Sequence, residues 1–297
     1  MDTNDEWITT RTGIKTRHML TDDETIEDLA YESAKRALED SGKTTSDIGL
    51  VIVACFTPTH LCPNVACYIK MKLGLENAIA FDMNSACSGF IYASYIAKAL
   101  LLQNPEHKNA IVVGAESLSS IINDEDRGTF VLFGDGAGAA VFSSDEGLEL
   151  KDDFIKNYDD VDGSIKIKSP NKHNKLSNVP DNSVQFHMNG ANVFKFATGV
   201  IDELIKKINA EQSAWFIPHQ ANTRIIDYAT KKLGIDNEKF YINIDKYGNT
   251  SAASVIIALD EFLREGKTKK DEEIALLAFG GGLTAAAMKL KVGGKYS

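Results

Sequence analysis

The chain contains 297 residues, 43% of them hydrophobic, which is enough to bury one large core or two smaller ones. Its formal net charge of −10 argues against bulk binding of nucleic acid, although a local basic patch could still receive an acidic partner. The longest apolar runs are far too short to cross a bilayer, and residues 1–6 are acidic rather than leader-like, so we expect neither membrane association nor secretion.

The first half of the chain alternates helical and strand patterns around one distinctive cysteine. A helix is predicted near 24–42 and a strand over 49–55, and a further strand leads into a long helical pattern that begins just after Cys87. Small neighbours leave the Cys87 sulfur accessible, and the positive end of the helix dipole is expected to favour its thiolate form. We therefore interpret Cys87 as a nucleophile, although a lone cysteine is more often a small core residue.

The second half repeats this alternation and adds two polar motifs. A helical pattern near 193–209 leads into a strand over 214–217, which His219 follows, and Asn249 lies in a later turn of small residues. Because Cys87, His219 and Asn249 all follow strand patterns, we expect them at the carboxyl ends of strands, where open parallel sheets bind their ligands.

Self-similarity indicates that the two halves are duplicated domains with mainly parallel sheets. The segment 133–142 resembles the segment 279–288 about half a chain later, and the turns that hold Cys87 and Asn249 occupy equivalent positions. A two-fold relation between the halves would bring these two turns face to face. The predicted domains are 1–147, which holds the cysteine, and 148–297, which holds the histidine and the asparagine.

Two further patterns bear on the compartment and the surface. Four cysteines match neither a zinc-binding spacing nor a disulfide framework, so we expect no metal site and a reducing, cytoplasmic location. They are Cys55, Cys62, Cys67 and Cys87. The polar stretch 168–183 predicts a surface loop.

A cysteine, a histidine and an asparagine permit two different chemistries. In a thiol peptidase, the histidine activates the cysteine and the asparagine orients the histidine. The small residues around Cys87 and the duplicated parallel frame are atypical of that class, so we disfavour it.

The second chemistry forms a carbon–carbon bond between two thioesters. The cysteine takes an acyl group from one thioester, a second thioester loses CO₂, and the resulting carbanion attacks the acyl-cysteine. Neutral His219 and the amide of Asn249 would supply two hydrogen-bond donors to the enolate without adding charge. The glycine run 280–282 would let backbone N–H groups form a second oxyanion hole, although such a run alone is more typical of a tight turn.

Ordered motifs along essentially the whole chain resemble β-ketoacyl-acyl-carrier-protein synthase III, the initiating condensing enzyme of bacterial fatty-acid synthesis. The motifs lie at 5–8, 11–14, 81–90, 126–129, 219–222, 248–251 and 279–282. The resemblance implies an α/β, thiolase-like fold with duplicated βαβαβαββ halves layered αβαβα. It also implies a cytoplasmic homodimer that condenses a short acyl-CoA with malonyl-acyl-carrier protein, without a metal or redox cofactor, since acyl-CoA is a substrate.

The resemblance also implies a role for individual residues. Cys87 would be acylated, His219 and Asn249 would promote decarboxylation, and Gly281 would join the Cys87 amide in the oxyanion hole. The residues expected to hold the coenzyme A nucleotide are Trp7, Arg11 and Arg127, where an indole can stack on adenine and guanidinium groups suit phosphate.

Two outer regions of the site follow from the same resemblance. Leu61 and Cys62 would line the end of the primer pocket across the dimer interface, and Cys62 stands where many acetyl-selective members carry a bulky aromatic residue. Carrier-protein docking is expected at Lys195, Arg224, Lys231 and Lys232, although a solvated helix face explains the last two equally well.

The chain departs from the family pattern at its start, because no strand precedes its first helix. We expect either that the true start lies upstream of Met1 or that this is a truncated form, and that the missing strand is a central one. Two rival functions stay open: an acyltransferase that uses an alcohol or amine as acceptor, which Asn249 disfavours, and a carrier-binding scaffold inactivated by truncation.

Overall fold

The computed structural model describes residues 2–104, 106–143, 147–167 and 186–296. Its helices are α1 (Asp5–Thr12), α2 (Ile26–Ser41), α3 (Val65–Leu73), α4 (Gly89–Gln103), α5 (Arg127–Phe130), α6 (Gly190–Lys207), α7 (Thr223–Leu233), α8 (Ile244–Tyr247) and α9 (Ser254–Arg264). Its strands are β1 (Ile48–Ala54), β2 (Ile79–Met83), β3 (Asn109–Glu116), β4 (Gly136–Phe142), β5 (Leu148–Asn157), β6 (Ile165–Ile167), β7 (Phe186–Met188), β8 (Trp215–Pro218), β9 (Glu273–Gly280) and β10 (Thr284–Val292). The predicted loop over 168–183 lies outside the described residues.

Local sequence explains where a helix begins, ends and packs, as α2 illustrates. The Thr25 side chain accepts a hydrogen bond from the Asp28 N–H at its start, and Gly42 ends it with a left-handed backbone of φ 70°. Apolar residues at every fourth position form one buried stripe. The stripe consists of Ile26, Ala30, Ala34 and Leu38.

Two sheets of four strands each organise the described residues. The first has the order β2-β1-β3-β4, in which β1 runs parallel to β2 and β3 while β4 is antiparallel to β3. The second has the order β5-β10-β9-β8, in which β8 runs parallel to β9 and β10 is antiparallel to both of its neighbours. Each sheet takes its strands from one half of the chain, whereas the domain boundary between 147 and 148 stays a prediction.

The elements stack as the predicted αβαβα layers. Helices α4 and α9 lie between the sheets, where Leu50 and Ile52 of β1 and Leu276 of β9 contribute to one core with them. The alternate residues of β1, Val51 and Val53, join a second core with α2 and α3 on the outer face. Helices α6 and α7 cover the outer face of the second sheet. No helix within the described ranges combines the length and apolarity that crossing a membrane requires.

Strand β5 precedes the first long helix of the second half and has no counterpart before α2 in the described residues. We expected such a counterpart to be a central strand, and this is wrong. Strand β5 lies at the edge of its sheet and pairs there with β10. The equivalent position in the first sheet is the outer edge of β4, most of whose residues are only half-buried.

Candidate active site

Cys87 lies in a tight turn between β2 and α4. In this 3-10 turn, Ala86–Ser88, Ala86 adopts φ 46°, a left-handed conformation that costs energy in any residue but glycine. The end of β9 packs against the turn, because a Cβ on Gly280 would lie 2.9 Å from the Cys87 backbone nitrogen. Gly281 is also adjacent, since a Cβ there would lie 3.6 Å from the Cβ of Ala86.

The ionisation of Cys87 differs from the expectation that a helix terminus favours the thiolate. Burial raises the pKa of the Cys87 thiol to about 12, a hydrogen bond from Ser251 acts in the opposite direction, and Glu116 raises the pKa further. Desolvation by burial is the largest of these effects. The thiol form predominates at neutral pH, and the thiolate must be stabilised during the reaction.

His219 follows β8 directly and is buried and neutral. Its backbone N–H donates to the Leu277 carbonyl at 2.7 Å, and its ring meets the edge of Phe279. Burial lowers the pKa of His219 to about 3. The ring Nδ1 lies 2.6 Å from the hydroxyl of Ser254, which also accepts a hydrogen bond from the Gln220 N–H. The distance allows either atom to be the donor, and we assign the serine as the donor to Nδ1, which places the imidazole proton on Nε2.

Asn249 is held on both its backbone and its side chain. The Asn249 N–H donates to the Leu132 carbonyl at 2.9 Å, and its own carbonyl accepts from the Gly134 N–H at 3.0 Å. Its side-chain Oδ1 accepts a hydrogen bond from the Ser251 N–H at 2.9 Å. Since the carbonyl oxygen of the amide is occupied, the Nδ2 group remains as a donor.

One segment, the turn 249–254, connects all three predicted catalytic residues. It contains Asn249, its Ser251 hydroxyl donates to the Cys87 sulfur at 3.3 Å, and its Ser254 hydroxyl contacts His219. In the equivalent turn of the first half, the Asn84 Oδ1 also accepts a hydrogen bond from the N–H of the residue two positions later, Ala86. The predicted face-to-face arrangement of the two turns is therefore present.

This geometry disfavours the thiol-peptidase alternative. In such a triad the asparagine orients the histidine, and the histidine takes the proton of the cysteine. Here Ser254 contacts the histidine ring and the Asn249 side chain accepts from Ser251. A histidine with a pKa near 3 is also a poor base at neutral pH.

The three residues predicted to hold the coenzyme A nucleotide lie together. The Arg11 guanidinium lies 4.5 Å from the centre of the Trp7 ring, and that of Arg127 lies 4.6 Å from the same ring. Arg127 also donates to the Asp2 carbonyl at 2.8 Å. The cluster joins α1 to α5 and offers an aromatic face beside two cations.

The predicted primer and docking residues lie further out. Leu61 and Cys62 are exposed on the loop between β1 and α3, and Leu61 retains 72% of its surface accessible, so this chain alone does not bury them. The four predicted docking cations are exposed on two helices that pack together. Lys195 lies on α6, and Arg224, Lys231 and Lys232 lie on α7.

Two residues that the structure brings to the site, Ser251 and Ser254, were not predicted there. Ser251 and Ser254 sit in a run of small residues that is typical of close packing, and their partners are distant in sequence. Gly280 belongs to the predicted glycine run. Its close approach to the Cys87 backbone, which only the structure shows, distinguishes it from Gly281. Within the described residues, no group of three or more metal-ligating side chains is close enough to hold a metal ion.

Comparisons with known proteins find similarity along nearly the whole chain. Two family models, 3-oxoacyl-[acyl-carrier-protein] synthase III and its C-terminal part, match residues 81–156 and 205–292. A β-ketoacyl-[acyl-carrier-protein] synthase III of Clostridium perfringens is 46% identical over 98% of this chain and 92% of that protein. The crystal structure of 3-oxoacyl-[acyl-carrier-protein] synthase III from Aquifex aeolicus has a TM-score of 0.86 and 40% identity over 98% of this chain and 92% of its own. The structure of the Thermus thermophilus enzyme has a TM-score of 0.87 and 39% identity over 99% of this chain and 92% of its own.

Proposed function

Since the chain belongs to the β-ketoacyl-[acyl-carrier-protein] synthase III family, we propose that Cys87, His219 and Asn249 carry out the condensation that initiates fatty-acid biosynthesis. The substrates are a short acyl-CoA and malonyl-acyl-carrier protein, and no metal or redox cofactor takes part. The products are 3-oxoacyl-carrier protein, CO₂ and free coenzyme A.

The first step transfers the acyl group to Cys87. The sulfur attacks the thioester carbonyl of acyl-CoA, an Sγ–C bond forms, and the bond from carbon to the coenzyme A sulfur breaks. The proton that Cys87 loses is balanced by the proton that the released coenzyme A gains. The backbone N–H groups of Cys87 and Gly281 are our candidates to stabilise the oxyanion of the tetrahedral intermediate.

The second step converts malonyl-carrier protein into a carbon nucleophile. Donors at Nε2 of His219 and Nδ2 of Asn249 bind the thioester oxygen, and the electron pair of the breaking C–CO₂ bond forms an enolate. The enolate carbon attacks the acyl-cysteine, a C–C bond forms, and the Cys87 sulfur leaves and takes a proton from solvent. Neutral donors suit this step, because a negative side chain there would repel the enolate.

The observation that carries this assignment is the turn 249–254. With Ser254 assigned as the donor to Nδ1 of His219, it leaves one N–H donor on each of His219 and Asn249, and the same turn contacts the Cys87 sulfur. A nucleophile and two neutral donors on one rigid support match what a decarboxylative condensation requires. The lack of a basic histidine is expected for this chemistry, since the donors never have to remove a proton.

For the coenzyme A nucleotide, we propose the cluster formed by Trp7, Arg11 and Arg127. Two guanidinium groups lie over the Trp7 ring, so adenine stacking on a face that they cover would displace one of them. The displaced cation would remain close enough to bind a phosphate. For the carrier protein, we propose the cationic face of α6 and α7, on which Phe194 and Tyr228 also form an exposed aromatic pair.

We further propose a homodimer in the cytoplasm. Strand β2 lies at the edge of the first sheet, and Ile79 at its start keeps 53% of its surface exposed. Such an apolar edge strand is a ready surface for pairing with a second copy. All four cysteines are free thiols, which fits a reducing compartment.

Intact-protein mass spectrometry tests the assignment of the two steps. Wild-type protein incubated with acetyl-CoA should gain one acetyl group and lose it when malonyl-carrier protein is added. Cys87→Ala should gain none. Asn249→Ala and His219→Ala should still be acylated, but their condensation should slow by roughly 10²–10³-fold, the usual effect of losing one oxyanion donor. Acetylation of the Cys87→Ala protein, or acylation impaired as badly as condensation in the other two, would contradict the assignment.

A further inference from the structure

Ser251 is the side chain of the second half that contacts the sulfur of Cys87. Its hydroxyl donates a hydrogen bond to Sγ at 3.3 Å, a normal length when sulfur is the acceptor. Ser251 is completely buried. Its backbone N–H separately holds the side chain of Asn249, so the hydroxyl is not needed for that contact.

The backbone at Ser251 is strained in the same way as at its counterpart in the first half. Ser251 has φ 49° and Ala86 has φ 46°, and each lies two residues after an asparagine that accepts its N–H. A left-handed conformation costs a non-glycine residue on the order of 1–3 kcal/mol, so glycine would be the less strained choice at either position. At position 251, however, only a side chain can reach the sulfur of the opposite turn.

We propose that the Ser251 hydroxyl is a catalytic hydrogen-bond donor that stabilises the negative charge on the Cys87 sulfur during acyl transfer. This role rests on the proposed function, because it requires Cys87 to be the nucleophile. Ser251 keeps its own proton throughout. The bonds that form and break are those of the acylation step, and the proton lost by Cys87 is balanced by the one gained by coenzyme A.

The hydrogen bond acts selectively because its acceptor changes during the reaction. A thiolate is a strong acceptor, whereas a thiol and a thioester sulfur are weak ones, so the donor stabilises the charged state more than the states before and after it. This site needs such a donor, since burial and Glu116 both raise the pKa of the Cys87 thiol while Ser251 lowers it. Neutral His219 adds no positive charge.

Two substitutions test the proposal, Ser251→Ala and Ser251→Gly. Both remove the hydroxyl, but glycine also removes the left-handed strain, so it controls for a folding defect caused by backbone geometry. Single-turnover acylation by acetyl-CoA should slow by about 10- to 100-fold in both, as expected when a hydrogen bond to a charged group is lost. Ser88→Ala is the matched control, because Ser88 is equally buried beside Cys87 but its hydroxyl bonds to Thr284.

The second readout is the pH dependence of iodoacetamide alkylation, followed at the Cys87 peptide by mass spectrometry. Loss of the donor should move the Cys87 profile to higher pH in both variants, an effect that a purely structural role would not produce. Exposed Cys67 in the same samples is an internal reference and should not shift. Ser251 variants that acylate at the wild-type rate, with an unshifted Cys87 profile, would overturn the proposal. Wild-type protein that is never acylated at Cys87 would instead overturn the proposed function.

Discussion

At the scale of single residues, the turn 249–254 contacts one polar side-chain atom of His219 and one of Asn249. Each has two polar side-chain positions, and a serine of the turn 249–254 occupies one of them. Ser254 contacts Nδ1 of the imidazole, and the Ser251 N–H donates to Oδ1 of the amide. With the Ser254 hydroxyl assigned as the donor to Nδ1, the remaining positions are both N–H donors, a role that the residue types alone leave open.

We predict that Ser254→Ala slows condensation by about tenfold and leaves acylation of Cys87 nearly unchanged. The variant removes the hydroxyl that holds the proton on Nε2 of His219, so the imidazole is free to present an acceptor instead of a donor. Single-turnover consumption of malonyl-carrier protein by pre-acylated enzyme measures this effect. Nitrogen NMR of the His219 ring should also show that the tautomer is no longer uniform.

Ser94→Ala is the matched control for this prediction. Ser94 is also buried, but its hydroxyl bonds to the Phe90 carbonyl within α4. Ser94→Ala should therefore leave the ratio of condensation to acylation unchanged. Equal slowing of both steps in Ser254→Ala would instead mean that the serine acts only on folding.

Residue types and their positions after apolar patterns led to the prediction of Cys87, His219 and Asn249. Cys87 and His219 follow the strands β2 and β8, whereas Asn249 follows the short helix α8, so the strand expected before Asn249 is wrong. The ionisation of Cys87 could not be predicted, because the helix start is visible in the sequence whereas the burial that raises the pKa of the thiol depends on tertiary packing. The partners Ser251 and Ser254 were missed for a similar reason. Their hydroxyls act on residues of other elements, and nothing in a run of small residues separates such a serine from a packing one.

At the scale of elements, the two catalytic turns are positioned by close backbone approaches between the halves. Strand β3 supports the turn 249–254, since a Cβ on Gly114 would lie 2.5 Å from the carbonyl oxygen of Ala252. On the opposite side, Gly280 of β9 supports the turn that contains Cys87. Each sheet therefore holds the catalytic turn of the other half, which makes the site a product of both halves.

We predict that Gly114→Ala destabilises the protein by about 1–3 kcal/mol, because the added methyl group would overlap backbone that cannot rotate away. For a chain of this size, each kcal/mol corresponds to a melting-temperature loss of about 2–4 °C. Condensation should fall as well, since the displaced turn carries Asn249. Thermal unfolding and single-turnover kinetics measure the two effects.

Gly199→Ala provides the comparison for that substitution. A Cβ on Gly199 meets no atom within 4 Å, and the residue lies inside helix α6. Alanine there should be neutral or stabilising by about 0.5–1 kcal/mol, since it removes backbone entropy from the unfolded chain. A melting temperature for Gly114→Ala as high as that of Gly199→Ala would show that β3 does not support the turn.

At the scale of the whole molecule, the duplication explains why the layers could be predicted, whereas the position of β5 at the edge of its sheet could not. The repeated segments 133–142 and 279–288 predict equivalent sheets, and the structure places β4 and β10 as their antiparallel strands. Strand order is decided by pairing between distant segments, which the spacing of apolar residues does not encode. The edge position of β5 therefore emerged only from the observed pairing.

The loop between β1 and α3 is held firmly on its own chain although its tip is exposed. Three acidic side chains hold the loop. At its start, Glu116 accepts from the Phe56 N–H and the Thr57 hydroxyl. Glu27 accepts from the His60 N–H, and Asp82 accepts from the N–H groups of Val65 and Ala66 where α3 begins. An exposed apolar tip on a fixed base is suited to reach into a second copy of the chain. In the proposed dimer, Leu61 and Cys62 would thus close the primer pocket of the partner.

We predict that this enzyme uses butyryl- and hexanoyl-CoA beside acetyl-CoA, and that Cys62→Phe restores a preference for acetyl-CoA. Cysteine is much smaller than phenylalanine, so it leaves space at the end of the pocket, where each further buried methylene contributes about 0.8 kcal/mol, or roughly fourfold in binding. Values of kcat/KM for the three thioesters, measured for wild type and Cys62→Phe, test this. Cys67→Phe, which adds the same ring at another exposed cysteine on α3, should leave the preference unchanged. A wild-type enzyme that accepts acetyl-CoA alone, with the same selectivity in Cys62→Phe, would show that another side chain closes the pocket.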